Sequence, residues 1–193
     1  RLTYPWRLPS GQVVEASVQG YTGEFVVAGA QIRPLGRGNA ITPANTGGTK
    51  GVREQRAGGT FVYYPQPWGL QAEWNVGEGP GLNDAQTAVD VRPLQGGYVM
   101  GMYKYDTDCN GIFTPYLRYQ HYDGGYRSVA NAPYGVHNQW DVGVEWQIAK
   151  EMELVVEYSY VDGVTLTTIN QAGVVPYQSI TTGILRMQFQ INY

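Results

Sequence analysis

Twelve charged side chains occupy the polar positions of segments in which apolar and polar residues alternate, and they are the first candidates for a functional site. Six are basic and six are acidic: Arg1, Arg7, Glu15, Arg56, Glu73, Lys104, Arg118, Asp141, Glu145, Glu153, Glu157 and Arg186. Neighbouring carboxylates can act as general acids and bases. A polar wall in contact with water explains these residues without catalysis, so we expect no enzyme. Charges inside a membrane-spanning structure are costly unless they line water, and this face therefore predicts a hydrated, pore-lining surface. A plug of ion-paired side chains, as in small barrels, is the alternative.

Three other groups of residues could carry chemistry, and none fits a known site. The run Asp106 to Gly111 resembles the start of a calcium loop, but that loop needs a bidentate Glu six residues after the glycine, where Leu117 stands. A polar hairpin turn is the better interpretation. The histidines are His121 and His137, and a histidine base would need a serine and a polar orienting group beside it. His121 falls in the outward register near a loop, which favours a position at the membrane interface over a base. Cys109 is the single cysteine. We expect no metal and no cofactor.

The composition limits the class of protein. The chain has 193 residues, a formal net charge of −3, 15% charged residues and 42% hydrophobic residues. The negative balance argues against a nucleic-acid partner. No apolar run approaches the roughly 20 residues of a transmembrane helix, so insertion into a membrane would require a β-barrel.

The last twelve residues, Thr182 to Tyr193, form the clearest predicted strand. One face carries Leu185, Met187, Phe189, Ile191 and Tyr193, and the other carries Arg186, Gln188, Gln190 and Asn192. Strand side chains alternate between faces, so one face is wholly apolar and ends in an aromatic residue. This arrangement is typical of a closing barrel strand that faces lipid. We expect Phe189, Ile191 and Tyr193 to be the assembly signal for the outer membrane.

The same alternation recurs along the chain and predicts about nine strands, with short turns and long loops alternating between them. The predicted strands are Arg1–Leu8, Gln12–Tyr21, Arg56–Tyr64, Trp68–Gly77, Tyr98–Asp106, Ile112–Tyr122, Asn138–Ala149, Met152–Asp162 and Thr182–Tyr193. Their lengths suit the ~9–11 residues that cross a bilayer, and outer-membrane barrels place short turns in the periplasm. The sequence predicts an all-β fold, an antiparallel transmembrane β-barrel. Eight aromatic residues share the outward parity: Trp6, Trp68, Trp74, Trp140, Trp146, Tyr158, Tyr160 and Tyr193.

The direction of the strands bears on how much of a barrel this chain contains. The first and last predicted strands both run towards the periplasm, so a closed barrel needs an odd number of additional strands. Seven would give about sixteen, as in porins. The chain also opens in strand register without an initiating Met. We therefore expect residues 1–193 to be the C-terminal part of a single outer-membrane barrel domain whose N-terminal strands and signal peptide are missing.

Several segments, in this order and spacing, resemble the phosphate-selective porin O/P family. They are YYPQPWGLQAEWNVGEGP (63–80), GYVMGMYKY (97–105), PYLRYQHYDGG (115–125), VGVEWQ (142–147) and LRMQFQINY (185–193). The resemblance implies a homotrimeric porin of about sixteen strands in the outer membrane of a Gram-negative bacterium, with this chain as its C-terminal half. It also implies contact with outer-membrane lipid and lipopolysaccharide, insertion by the barrel assembly machinery, and passage of small solutes or anions.

The permeating solute stays open at this point. In the family, phosphate selectivity depends on an arginine ladder and a lysine cluster at a constriction formed by the N-terminal half. We expect passive diffusion of small hydrophilic solutes, with anions such as phosphate among the candidates. The loop holding Arg33, Arg37, Lys50 and Arg53 is either a basic vestibule or an ordinary exposed loop. The rival function is a soluble or surface β-sandwich that binds carbohydrate, which would place its apolar residues between two sheets.

Overall fold

The computed structural model describes residues 1–25, 51–82, 89–125, 134–166 and 177–191. These residues form ten strands and, within those ranges, no helix: β1 (Leu2–Arg7), β2 (Val13–Phe25), β3 (Val52–Tyr63), β4 (Trp68–Leu82), β5 (Val89–Tyr103), β6 (Tyr105–Thr107), β7 (Gly111–Gly125), β8 (Tyr134–Ala149), β9 (Met152–Leu166) and β10 (Tyr177–Ile191). Every pairing is antiparallel.

All ten strands belong to one sheet, with the order β1-β2-β3-β4-β5-β7-β8-β9-β10, and β6 also pairs with β7. The nine predicted strands are thus present, with one of them divided at Lys104 into β5 and β6. Met102 pairs with Tyr116 before the break, and Tyr105 pairs with Phe113 after it. Pro115 lies between those two partners and has no N–H to donate, which interrupts the ladder. The Lys104 N–H instead donates to the carbonyl of Pro67, 2.7 Å away.

The strands extend further towards the long loops than the alternation predicts. The alternation stops at Gly77 and resumes at Tyr98, which predicts an irregular segment between them. Most of that segment belongs instead to β4 and β5, which stay paired as far as Leu82 and Val89. Here the alternation is lost because glycines occupy the facing positions, such as Gly79 opposite Arg92. A backbone ladder does not need apolar side chains, so the strands continue where the sequence pattern has ended.

The two faces of the sheet differ in the way that the parity predicts. On the outer face, large apolar side chains are exposed along nearly every strand, including Leu185 (67%) and Met187 (69%). Trp6, Trp68, Trp74, Trp140, Tyr158 and Tyr160 are exposed on the same face. Within the described ranges no second sheet covers this face. A sandwich needs two sheets with apolar residues between them, so the carbohydrate-binding β-sandwich interpretation is wrong.

Polar residues mark the limits of the exposed apolar band. On the outer face Asn138 pairs with Asp162, and Asp162 pairs with Thr181, which forms a polar row across β8, β9 and β10. The turn at Lys150 and Glu151 lies at the other end of β8 and β9. About ten residues separate these limits, which at about 3.3 Å per residue and a tilt of about 40° span roughly 25 Å. That is the height of the apolar band of an outer-membrane barrel. Among the described residues no helix is long and apolar enough to cross a membrane.

Candidate functional site

The face opposite the apolar band carries the charged residues that the sequence singled out. Direct cross-strand partners share a face, and the register aligns Arg118 with Asp141 and Arg186 with Glu157. The same parity along each strand includes Arg56, Glu73, Glu145 and Glu153, and Lys104 continues the parity of β5 at the strand break. The register adds four charges that the sequence pattern did not assign to this face: Glu54, Asp90, Arg92 and Asp106. Glu54, Asp90 and Arg92 were missed because they lie in segments without alternation.

The charged face is concave. A cavity of about 690 Å³ is lined by residues from Arg1, directly before β1, to Gln139 on β8. Its lining includes Arg1, Arg56, Glu73, Tyr98, Gln120 and His137. Side chains from strands so far apart can line one cavity only if the sheet curves around it. The polar face is therefore the inside of the curve, and the apolar face is the outside.

An ion-paired network crosses β7 to β10 on the concave face. The Nε of Arg118 donates to Oδ2 of Asp141 at 2.8 Å, and its Nη2 donates to Oε2 of Glu157 at 2.9 Å. The Nη1 of Arg186 donates to the other oxygen of Glu157 at 3.1 Å. Four charged residues from four strands thus form one chain of charge-assisted hydrogen bonds, the strong class of such bonds.

The two carboxylates of this network are buried and are held by neutral donors as well. Asp141 has no exposed surface, and it accepts hydrogen bonds from Gln120 Nε2 and Gln139 Nε2, both at 2.6 Å. Glu157 is 8% exposed and accepts from the hydroxyls of Tyr116 (2.8 Å) and Ser159 (3.3 Å). The sequence led us to expect a solvated wall, and at these two positions the structure instead shows carboxylates enclosed by their partners. These ion pairs run along the wall, between neighbouring strands of one sheet, and the plug of ion-paired side chains stays an alternative.

The remaining wall charges lie outside this network. On β3, Nη2 of Arg56 contacts Oε1 of Glu54 at 2.9 Å, and Glu54 also accepts a hydrogen bond from Tyr21. Glu73 accepts from Asn75 Nδ2 at 2.8 Å. Glu145 and Glu153, near the short turn of the β8–β9 hairpin, have no ion-pair partner in the described parts of the chain, and neither does Lys104.

The segment that resembles the start of a calcium loop is part of a β-hairpin. Asp106 to Gly111 spans the end of β6, a turn at residues 108–110 and the start of β7. Thr107 Oγ1 accepts from the Asn110 N–H at 3.0 Å and donates to the Gly111 carbonyl at 2.6 Å. The predicted hairpin turn is confirmed. The described residues contain no cluster of three or more metal-ligand side chains.

The histidine His121 lies on the outer face at the edge of the apolar band. Its ring is stacked on Trp74, with centroids 5.8 Å apart, and its Nδ1 is 2.8 Å from Asn138 Oδ1. This is the interface position that its register predicts. Of the loop cations, Arg33, Arg37 and Lys50 lie outside the described residues. Arg53 lies on β3 and pairs with Glu78 at 2.6 Å.

Two of the three predicted assembly residues can be located. Phe189 and Ile191 lie on the outer face of β10 and are more than half exposed, while Tyr193 lies outside the described residues. Their inward neighbours on the same strand are Gln188 and Gln190. The structure thus gives these residues an outward orientation, and their role as a signal stays a prediction.

The assignment of the two faces predicts a reactivity pattern for single cysteines in the complete protein. We expect Val142→Cys and Leu154→Cys to react with lipid-soluble thiol reagents, because both side chains point outward within the apolar band. Glu145→Cys and Arg186→Cys should react with water-soluble reagents that enter from the concave side. Labelling followed by mass spectrometry measures the pattern, on protein in which Cys109 is replaced by Ser. The same reagent preference at both pairs would show that the faces are assigned wrongly.

Comparison with known protein families gave one match, which covers residues 1–193 and is described as phosphate-selective porin O and P. Comparisons with curated proteins and with solved structures gave no match. The match agrees with an all-β antiparallel sheet that presents apolar side chains outward and charged side chains inward.

Proposed function

Because the chain belongs to the phosphate-selective porin O and P family, a family of channels and not of enzymes, we propose that it forms the wall of a water-filled outer-membrane pore for passive diffusion of small hydrophilic solutes. One observation carries the proposal. A single curved sheet has an apolar outer band about 25 Å high and a charged concave face. In a soluble protein the apolar face would be the covered one.

The charges on the concave face support a channel of mixed selectivity. The inward set contains seven basic and nine acidic residues once Glu54, Asp90, Arg92 and Asp106 are included. A wall of one sign would concentrate ions of the opposite sign, whereas a balanced wall favours neither. Small hydrophilic solutes are therefore the proposed substrates, and phosphate is one candidate among the anions.

The edges of the sheet support the proposal that more strands complete the barrel. In the described residues β1 and β10 each pair on one side only. Unpaired backbone groups in hydrocarbon cost several kcal/mol each. Nine strands follow one another across the sheet, each antiparallel to the next, so the first and the last, β1 and β10, run in the same direction. These two strands therefore cannot pair antiparallel with each other to close the barrel. We propose that residues 1–193 are the C-terminal part of one barrel domain of about sixteen strands.

The biological setting is part of the same proposal. The pore is proposed to be a homotrimer in the outer membrane of a Gram-negative bacterium, inserted by the barrel assembly machinery and surrounded by lipid and lipopolysaccharide. No nucleic acid and no cofactor take part. The exposed apolar band supplies the surface that lipid or neighbouring subunits would cover.

Single-channel recording tests the proposed function. We expect the complete protein, purified in detergent and added to a planar bilayer, to give uniform current steps. The chain of residues 1–193, refolded in the same way, should give no stable uniform steps, because its edge strands lack partners. Absence of steps from the complete protein would contradict the channel function. Stable steps from the 193-residue chain would contradict only the proposal that further strands are needed.

A further inference from the structure

The wall formed by β7 to β10 carries more acid than base on its concave side. Its inward charges are two arginines and four carboxylates: Arg118, Arg186, Asp141, Glu145, Glu153 and Glu157. Both arginines are bound to carboxylates of the same wall. The two carboxylates without an ion-pair partner in the described ranges, Glu145 and Glu153, leave this wall with a negative excess.

Two of the N–H donors that Arg118 would offer to a passing anion, on its Nε and Nη2, are already used. Guanidinium groups bind phosphate or carboxylate through their forked N–H donors. In Arg118 the Nε points at Asp141 and the Nη2 points at Glu157, each within 2.9 Å. An anion that bound to the forked Nε–Nη2 edge of this side chain would have to displace a buried carboxylate. Its charge is also cancelled at close range by those same oxygens.

The carboxylates cannot easily move aside, because neutral donors fix them. Two glutamine amides hold Asp141, and two hydroxyls hold Glu157. The Tyr116 hydroxyl reaches Glu157 across Gly143, where an added Cβ would lie only 2.4 Å from the Tyr116 ring. Glycine at this position leaves room for the tyrosine. The whole arrangement is built around the two carboxylates, not around a place for a solute.

We infer that Asp141 and Glu157 are specificity-determining residues that hold Arg118 and Arg186 and thereby prevent this wall from acting as an anion-binding surface. The inference rests on the proposed channel function and deepens it. Wherever anions are favoured in the complete pore, the favourable charges lie outside this network. Removing one carboxylate should release arginine donors into the lumen and shift the channel towards anions by more than the loss of one negative charge explains.

The experiment compares two isosteric substitutions that remove the same charge from neighbouring strands. With its amide nitrogen in place of Oε1, Glu157→Gln releases Arg186 and removes the negative charge beside Arg118, while the oxygen in place of Oε2 still accepts from Tyr116. The matched control, Glu145→Gln, releases no arginine. In the complete protein in a planar bilayer, the reversal potential in a KCl gradient gives the chloride-to-potassium permeability ratio. We expect this ratio to rise about threefold or more for Glu157→Gln and less than about twofold for Glu145→Gln.

Further variants separate the release of an arginine from a change in folding. Adding Arg186→Gln to Glu157→Gln should remove the excess shift. Asp141→Asn, which releases the Nε of Arg118, should give a shift in the same direction as Glu157→Gln. Heat modifiability on a denaturing gel shows whether each variant assembles.

Two results would overturn the inference. One is an equal shift for Glu157→Gln and Glu145→Gln. The other is failure of both Glu157→Gln and Asp141→Asn to assemble while Glu145→Gln assembles, because the network would then be needed for the fold and not for selectivity. Absence of channels from the unsubstituted protein is a different outcome, and it would overturn the proposed function.

Discussion

Val144→Arg should destabilise the assembled protein by about 2–4 kcal/mol, the cost of a cation on the lipid face near the bilayer midplane. Val144 lies on β8 between Asn138 and Ala149, close to the middle of the apolar band, and its parity points outward. The free energy of unfolding of the reconstituted complete protein, from a denaturant titration, measures the effect. The heat-modifiable fraction in outer membranes should fall in parallel.

The adjacent residue provides the control for this substitution. Glu145→Arg introduces the same side chain one residue later, but on the concave face, where water and Glu153 can accommodate the charge. We expect its free energy of unfolding to stay within about 0.5 kcal/mol of the unsubstituted protein, as for an ordinary surface change. Equal damage at both positions would contradict the assignment of faces on β8.

Deletion of Phe189 to Tyr193 from the complete protein should leave it unassembled in the periplasm. The deletion removes the end of β10, including two exposed outward side chains and the pairing of Phe189 with Leu154 and of Ile191 with Met152. Without them β9 loses its partner over its first residues, and the outer band loses its terminal apolar positions. Cell fractionation and the heat-modifiable band on a gel measure the outcome.

A control on the same strand distinguishes a signal from general damage. Gln188→Ser and Gln190→Ser change the concave side of the segment and leave the outward residues intact. We expect both variants to assemble at normal levels. Normal membrane levels after the deletion would show that Phe189, Ile191 and Tyr193 are not needed for assembly.

The faces of the strands were predictable from the sequence because one property, the period of two, determines them. The outward position of Leu185 and Met187 and the inward position of Arg186 follow from alternation alone, and the structure confirms them. The ends of the strands were not predictable in this way. Near the long loops, glycine and polar residues occupy both faces, so β4 and β5 continue through residues that carry no alternating signal.

The ion-pair network could not be predicted from the sequence, because it depends on how neighbouring strands are aligned with one another. Along most of the β8–β9 hairpin, Asp141 is opposite Ser159 and Gln147 is opposite Glu153, but Ala149 is opposite Met152 next to the turn. This irregularity shifts the register by one residue. A hairpin drawn directly from the turn would have put Asp141 opposite an outward-facing residue. Arg118 and Glu157 are 39 positions apart in the sequence, and their contact depends on the register of both the β7–β8 pair and the β8–β9 pair.

The order of strands in the sheet has a consequence for how the protein reaches its folded state. Each described strand pairs only with strands next to it in the chain, apart from the short β6 that shares β7 with β5. Contacts between sequence neighbours require little loop closure, and doubling a loop costs only about 0.6 kcal/mol. The sheet can therefore grow by successive addition of hairpins, of which β8–β9, with its turn at Lys150 and Glu151, has the shortest connection to close. In this order of folding, no step requires contacts between distant parts of the chain. The exception is the last step, in which the strands at the two edges pair with further strands.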